Sequence, residues 1–158
     1  MAKIIIAGKA ASGKDFLKNR LRQRGLKCGV SHTTRPMRPG EVEGETYYFI
    51  SEEQFLKMKD EGQFYETANF NSWWYGTSKK EFDEKDVFLM TPAGIAQLTE
   101  EDRKRSFIMF LDISDELRRF RLNQRVMPGD SVERRIEADN LDFNSFTDFD
   151  ARFTNENF

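Results

Sequence analysis

Gly8-Lys9-Ala10-Ala11-Ser12-Gly13-Lys14-Asp15 is the stretch whose reading decides the fold. It follows the short apolar run Ile4-Ile5-Ile6-Ala7 and opens a segment in which Phe16, Leu17 and Leu21 recur at helical spacing. Strand, glycine loop and helix in that order make a phosphate cradle. The loop glycines tolerate the left-handed dihedrals that turn successive backbone N–H groups inward. The helix adds the positive end of its dipole, and Lys14 reaches the outer phosphates of a nucleoside triphosphate. One position departs from that pattern. A Ser or Thr hydroxyl that ligates Mg²⁺ is usual after the lysine, and this chain carries Asp15.

Composition narrows what such a loop serves. At 158 residues the chain is one domain by size, long enough to bury roughly 70% of its unfolded surface without staples. Lysine and arginine number 25 against 27 acids, a net charge of −2, so no global basic field draws it to nucleic acid or to an anionic membrane. Any anion site must be a local cluster. The single cysteine, Cys28, forms no internal disulfide and fits a reducing compartment as a small buried hydrophobe. No apolar run approaches the roughly 18 residues of a membrane span, and the N-terminal Ile run is too short for a signal peptide. The expected location is the cytoplasm.

Along the chain, residues 14–24 read as an amphipathic helix ended by Gly25, and Leu26 to Val30 as a second short strand. The polar, proline-punctuated run from Ser31 to Glu41 reads as neither helix nor central strand. Tyr47 to Ile50 is β-favouring, and Ser51 caps a helix through about Asp60 that Gly62 stops. Gln63 to Asn71 reads as a strand with a turn, and Trp73 to Thr77 as closing into a short helix around Ser78 to Phe82. Val87 to Met90 is a buried strand, with a helix from Pro92 to about Leu98. Phe107 to Leu111 is another such strand. Ser114 caps an arginine-rich helix, the turn Met127-Pro128-Gly129-Asp130 precedes a helix from near Ser131, and Asp150 to Thr154 is a last strand. The fold class is α/β. A mainly parallel sheet carries helices on both faces, with a ligand crevice at the carboxyl ends of its strands. Residues 1–30 and 81–158 form the core, and 31–80 an inserted lobe.

Three cationic clusters fall within that architecture. The loop is the first. Arg35 and Arg38 with Tyr47 are the second, two guanidinium forks and a hydroxyl able to hold another phosphate. The third is Arg118, Arg119, Arg121, Arg125, Arg134 and Arg135, of which Arg121 and Arg125 share a helix face. Glu116, Asp130 and Glu133 lie nearby, so Arg118, Arg119 and Arg134 read equally well as a salt-bridged surface. Two phosphate sites and an arginine arm specify phosphoryl transfer, which asks for in-line positioning and charge neutralisation rather than covalent chemistry. An acceptor phosphate is already ionised and needs no base, consistent with His32 being the sole histidine.

The run from Ser31 to Val42, with Gly44 and Tyr47 beyond it, resembles the signature of guanylate kinases. Phe64-Tyr65-Glu66, Tyr75-Gly76-Thr77-Ser78, Arg121-Leu122 with Arg125, Arg135-Ile136 and a terminal Asn155 follow in family order, so the similarity spans nearly the whole chain. It implies a P-loop kinase with a monophosphate-binding lobe at 31–80 and a lid at about 121–135, dependent on ATP and Mg²⁺. By that resemblance Gly8, Lys9, Ala10, Ala11, Ser12, Gly13, Lys14, Asp15 and Asn155 bind ATP. Ser31, Arg35, Arg38, Glu41, Tyr47, Glu66, Tyr75 and Thr77 bind GMP. Lys14, Arg121, Arg125 and Arg135 act on the moving phosphoryl group, and Asp15 is the candidate metal ligand. Glu66 also stands on its own chemistry. One carboxylate accepts from both N1–H and the exocyclic amine of guanine, whereas adenine presents an acceptor at N1.

The partners implied are ATP and GMP or dGMP, with no nucleic acid or membrane, for a monomer or homodimer. The departures are Asp15, Thr91 where the family usually places an Asp, Trp73-Trp74 in the base pocket, a short lid turn and an end at Phe158. The last two suggest a compact version of the viral or phage kind. Two further readings stay open on the sequence: a binding module for phosphorylated peptides that no longer catalyses, and a sugar-phosphate or broader nucleotide kinase on the same scaffold.

Overall fold

The structure is a computed structural model that describes residues 2–124 and 131–155. Arg125 and the turn from Met127 to Asp130 lie outside the described residues. The chain opens with β1 (Lys3–Gly8), and Gly13, at φ 97°, caps helix α1 (Lys14–Gln23). Next come the short strands β2 (His32–Thr33) and β3 (Tyr48–Phe49). Helix α2 (Glu52–Asp60) starts at a capping box, in which Ser51 and Gln54 each bond the other's backbone. A hairpin follows, β4 (Phe64–Phe70) and β5 (Trp73–Ser78), turned by Asn71 and Ser72 at φ 51° and 70°. Two positive φ values in succession give a turn whose twist matches the flanking strands. Helix α3 (Lys79–Glu84) leads into β6 (Val87–Leu89), α4 (Pro92–Ile95), α5 (Glu100–Lys104) and β7 (Ser106–Leu111). Helices α6 (Asp115–Asn123) and α7 (Val132–Phe143) precede β8 (Ala151–Phe153).

The strands form two sheets. One is parallel throughout, in the order β6-β1-β7-β8; the other is ordered β3-β2-β5-β4, with antiparallel β2-β5 and β4-β5 pairs. Alternation along β1 explains why helices cover both faces of the parallel sheet. Ile5 and Ala7 point into a cluster with Phe88, Ile108, Phe110, Ile95 and Phe143, while Ile6 packs with Val87 and Leu111 against Leu17 and Leu21 of α1. Each of these large side chains contributes about 1.5–3 kcal/mol by leaving water. No described helix is long and apolar enough to cross a membrane.

Four expectations need correction. Residues 26–30 form no strand; a single parallel bridge joins Cys28 to Val87 at the sheet edge. The packing of Phe88 rules out a Cβ at Gly29, where one would fall 2.5 Å from its ring. His32 and Thr33 do form a central strand, because the prolines of that run lie beyond the two residues that pair. Trp73 to Thr77 belong to β5 rather than to a helical closure, and α4 ends at Ile95, short of Leu98. Helix α5, capped by Thr99, was not anticipated.

Candidate functional site

A cleft opens where β1 and β6 end and runs across to the second sheet. Gly8, Ala10, Ala11, Lys14 and Asp15 line one side, with Arg135, Asp139 and Asp142 from α7 above them. Ser31, Arg35, Arg38, Glu41, Tyr47, Glu66 and Tyr75 line the other.

The loop is held in shape from outside. Gly8 has no room for a Cβ, which would fall 2.4 Å from Ser12 Oγ, and Ala11 sits at φ 60°, unusual for a residue with a side chain. The peptide around it is pinned by three bonds from α6 and α7. The Ala10 N–H donates to Asp139 Oδ2 at 2.9 Å, Arg118 Nε donates to the Ala10 carbonyl at 3.0 Å, and Arg121 Nη1 donates to the Ala11 carbonyl at 2.9 Å. Arg118 is wholly buried and also bonds Asp139 at 2.6 Å and Asp115 at 2.7 Å, so the surface reading of Arg118 does not hold. It does hold for Arg119, paired with Glu133 at an exposed site. Lys14 Nζ donates to the Gly8 carbonyl at 2.5 Å. Burial pushes its pKa down and Asp139 and Asp15 pull it back up, an environment in which an anion would be bound strongly.

Across the cleft, charges organise one another. Arg35 forks onto Glu41, with Nη1 to Oε1 at 2.9 Å and Nη2 to Oε2 at 2.8 Å, and lies over the Tyr47 ring at 5.3 Å. Burial alone would favour a neutral Arg35, but the Glu41 bonds hold it protonated. Glu41 is likewise drawn down by Arg35 and the Arg38 N–H against its own desolvation. Arg38 has the opposite balance: burial, then Arg35 and Arg135, all disfavour its charge. Cations crowded in this way are relieved by an anion between them. Burial, Tyr75 and Asp15 raise the Tyr47 pKa, which keeps its hydroxyl a donor.

Glu66 lies deep in the cleft, 5% exposed, and burial pushes its pKa up to about 7 against the Thr77 bonds that lower it. Thr77 donates to Oε1 from its N–H at 3.1 Å and from its hydroxyl at 2.7 Å. The other oxygen lies against Gly94, where a Cβ would fall 2.6 Å from Oε2. Thr77 stands behind Glu66 and orients it instead of lining the cleft. Its hydroxyl is 3.4 Å from that of Ser31, and Ser78 is the residue that caps α3. Trp73 and Tyr75 face the cleft, while Trp74 points the other way and stacks on Phe55. Thr91 lines the cleft with its hydroxyl committed to capping α4 through the Gly94 N–H.

Some expected residues are not brought to the cleft. Lys9 bonds Asn140 at 2.9 Å, and Ser12 is buried with no partner for its hydroxyl. Gly13, Arg121 and Asn155 do not line it, and Arg125 is not described. Conversely, the sequence reading missed Asp139 and Lys18, both buried and both at the cleft, and the clamping role of Arg118. The Asp115–Arg118 spacing was the one visible hint of the last.

The guanylate kinase family model matches residues 1–158. The chain belongs to the guanylate kinase family. It is 32% identical to a guanylate kinase of Legionella pneumophila strain Paris, an alignment covering 98% of this chain and 78% of that one. It is 34% identical to one of Idiomarina loihiensis, covering 98% and 79%. The fold matches the crystal structure of guanylate kinase from Anaplasma phagocytophilum with a TM-score of 0.75 at 22% identity, covering 99% of this chain and 77% of that one.

Proposed function

We propose that this family member transfers the γ-phosphoryl group of ATP to GMP or dGMP, giving ADP and GDP or dGDP. The observation that carries the reading is the arrangement of one cleft. Lys14, the Arg35, Arg38 and Tyr47 cluster and the buried Glu66 carboxylate all line it. That set fits a triphosphate, a monophosphate and a purine edge. The 31–80 segment serves as the monophosphate lobe and 121–135 as the lid.

The residues divide the work. Lys14 exchanges its bonds to the loop carbonyls for oxygens of the moving phosphoryl group and neutralises the charge that spreads there. Arg38, with Arg35 behind it, and Tyr47 aim the acceptor oxygen in line. Arg135, which lines the same cleft, approaches from α7. Glu66 accepts from the guanine N1–H and amine, while Ser31 offers its hydroxyl to the base. Arg121, committed to the Ala11 carbonyl, holds the loop.

The described residues contain no cluster of three acidic, His or Cys side chains, yet Asp15 lines the cleft, and Mg²⁺ characteristically takes one or two carboxylates with phosphate oxygens and water. Asp15 therefore fits as its protein ligand. When bound, the ion would neutralise charge on the β- and γ-phosphates. A kinase drawing on ATP fits a cytoplasmic location.

Coupled ADP release measured across all nucleoside monophosphates tests the reading. Turnover is expected with GMP and dGMP and much less with AMP, CMP or UMP. A different monophosphate reacting in their place would defeat the specificity.

A further inference from the structure

Gly94 is a glycine whose backbone does not call for one. It lies in the helical turn of α4, where alanine holds the backbone better, and its N–H donates to the Thr91 hydroxyl at 3.1 Å. What glycine supplies there is room. A Cβ would fall 2.6 Å from Glu66 Oε2, inside contact distance, and 3.2 Å from Glu66 Cδ. Both Thr77 bonds fall on Oε1, so Oε2 is the oxygen left for a ligand in the cleft.

Two further features fix where Oε2 stands. The pairing of β4 with β5 slips between Phe64 and Glu66, so Tyr65 is an extra residue, and its ring stacks on Phe82 at 3.9 Å. A bulge of this kind re-aims the side chains beside it. One residue beyond Glu66, the exposed Gln97 amide closes on both backbone groups of Thr67. Its Oε1 accepts from the Thr67 N–H at 3.1 Å, and its Nε2 donates to the Thr67 carbonyl at 2.6 Å. Because β4 is an edge strand, Gln97 stands where a neighbouring strand would bond. Nε2 also donates to the Ala93 carbonyl at 3.0 Å, so one side chain fastens α4 to the strand that carries Glu66. The carboxylate is thereby held between Thr77 on one side and Gly94 of a fastened helix on the other.

We propose that Gly94 and Gln97 are positioning residues that determine base specificity: α4, fastened by Gln97 and bare at Gly94, is the backstop that sets Glu66 Oε2 for the guanine edge. Neither residue lines the cleft, and both act through Glu66. The obstructed atom is the end of a flexible side chain, so a methyl added at Gly94 displaces the carboxylate rather than the fold. The loss then falls on selection of the base, because hydrogen bonds to a purine edge weaken steeply as their geometry departs from linear. The inference rests on the reading that Glu66 accepts from guanine.

Steady-state kinetics with GMP, AMP and ATP varied in turn test it, using wild type, Gly94→Ala, Glu66→Ala and the double variant. Gly94→Ala is expected to lower kcat/KM for GMP about tenfold, with the AMP value and the KM for ATP within about twofold. Its thermal melting should stay close to that of wild type. In the Glu66→Ala background, with no carboxylate to displace, the same methyl should cost less than about twofold, the signature of a coupled pair. Gln97→Ala, at an exposed position, should lower kcat/KM for GMP about threefold, and it decides the matter should Gly94→Ala melt early. An unchanged kcat/KM for GMP in the deciding variant, an equal loss with Glu66 absent, or a parallel rise in the KM for ATP each overturns the proposal. A wild type that turns over neither GMP nor dGMP overturns the reading beneath it, and the inference with it.

Discussion

The loop at Gly8 to Asp15 and the pocket around Arg35 face each other across one cleft and are built in opposite ways. The loop is a continuous stretch whose working parts are backbone amides and one lysine, held in shape by Arg118, Arg121 and Asp139 from other helices. The pocket is assembled from side chains on the 31–47 segment, β4 and β5, and its members organise one another, as the Arg35–Glu41 fork shows. The loop is thus vulnerable to loss of the external clamp and to any side chain added at Gly8. Side-chain sites are vulnerable one residue at a time, and their charge states respond to pH.

The sharpest break of that contrast is Lys14→Ala, the one side chain on which the loop depends. Steady-state kinetics should show kcat falling by about 10³ or more, because the lost interaction belongs to the transition state. GMP affinity by calorimetry should stay within about threefold; unchanged turnover would remove Lys14 from its role. Next in size is the clamp. Arg118→Ala leaves Asp139 buried and uncompensated and should cost about 3–5 kcal/mol in denaturant unfolding. Pairing Arg118→Leu with Asp139→Ala should recover most of that stability, since a buried ion pair is often replaceable by apolar packing. Activity should nevertheless stay low, because the Ala10 peptide loses both of its partners.

Smaller effects belong to the pocket. Glu66→Gln keeps an oxygen for the Thr77 donors and loses the charge, so the preference for GMP over AMP in kcat/KM should fall by about 100-fold. The smallest effect is that of pH. With the Glu66 pKa pushed up to about 7, the carboxylate proposed to hold guanine is depleted below that pH. The KM for GMP should therefore rise up to about tenfold per unit as pH falls below neutrality, and Glu66→Gln should flatten the profile. Stability runs the other way in the free protein. A carboxyl whose pKa is raised by folding contributes most below its ordinary value, and the contribution is lost as pH rises through about 7. Wild type should consequently gain stability relative to Glu66→Gln on going from pH 8 to pH 5.

Much of the site was readable because its determinants are local. The loop residues, Arg35, Arg38 and Tyr47 lie within short spans whose spacing carries the chemistry. Elements with clear signals, such as the Ser51 capping box and the apolar run of β7, fall close to where the pattern placed them. The hairpin at Trp73 was misread because aromatic residues beside an Asn-Ser turn give no helical or strand period of their own, and pairing with β4 decides the matter.

By itself the sequence determined the α/β class, the glycine loop between β1 and α1 and the identity of many residues on either side of the cleft, because glycine placement, apolar period and charge type act over a few residues. Only the tertiary structure decided that Arg118 is buried, that Thr77 serves Glu66, and that Lys18 lines the cleft. Those facts depend on which side chains from distant parts of the chain exclude water from one another, and local spacing does not encode that burial.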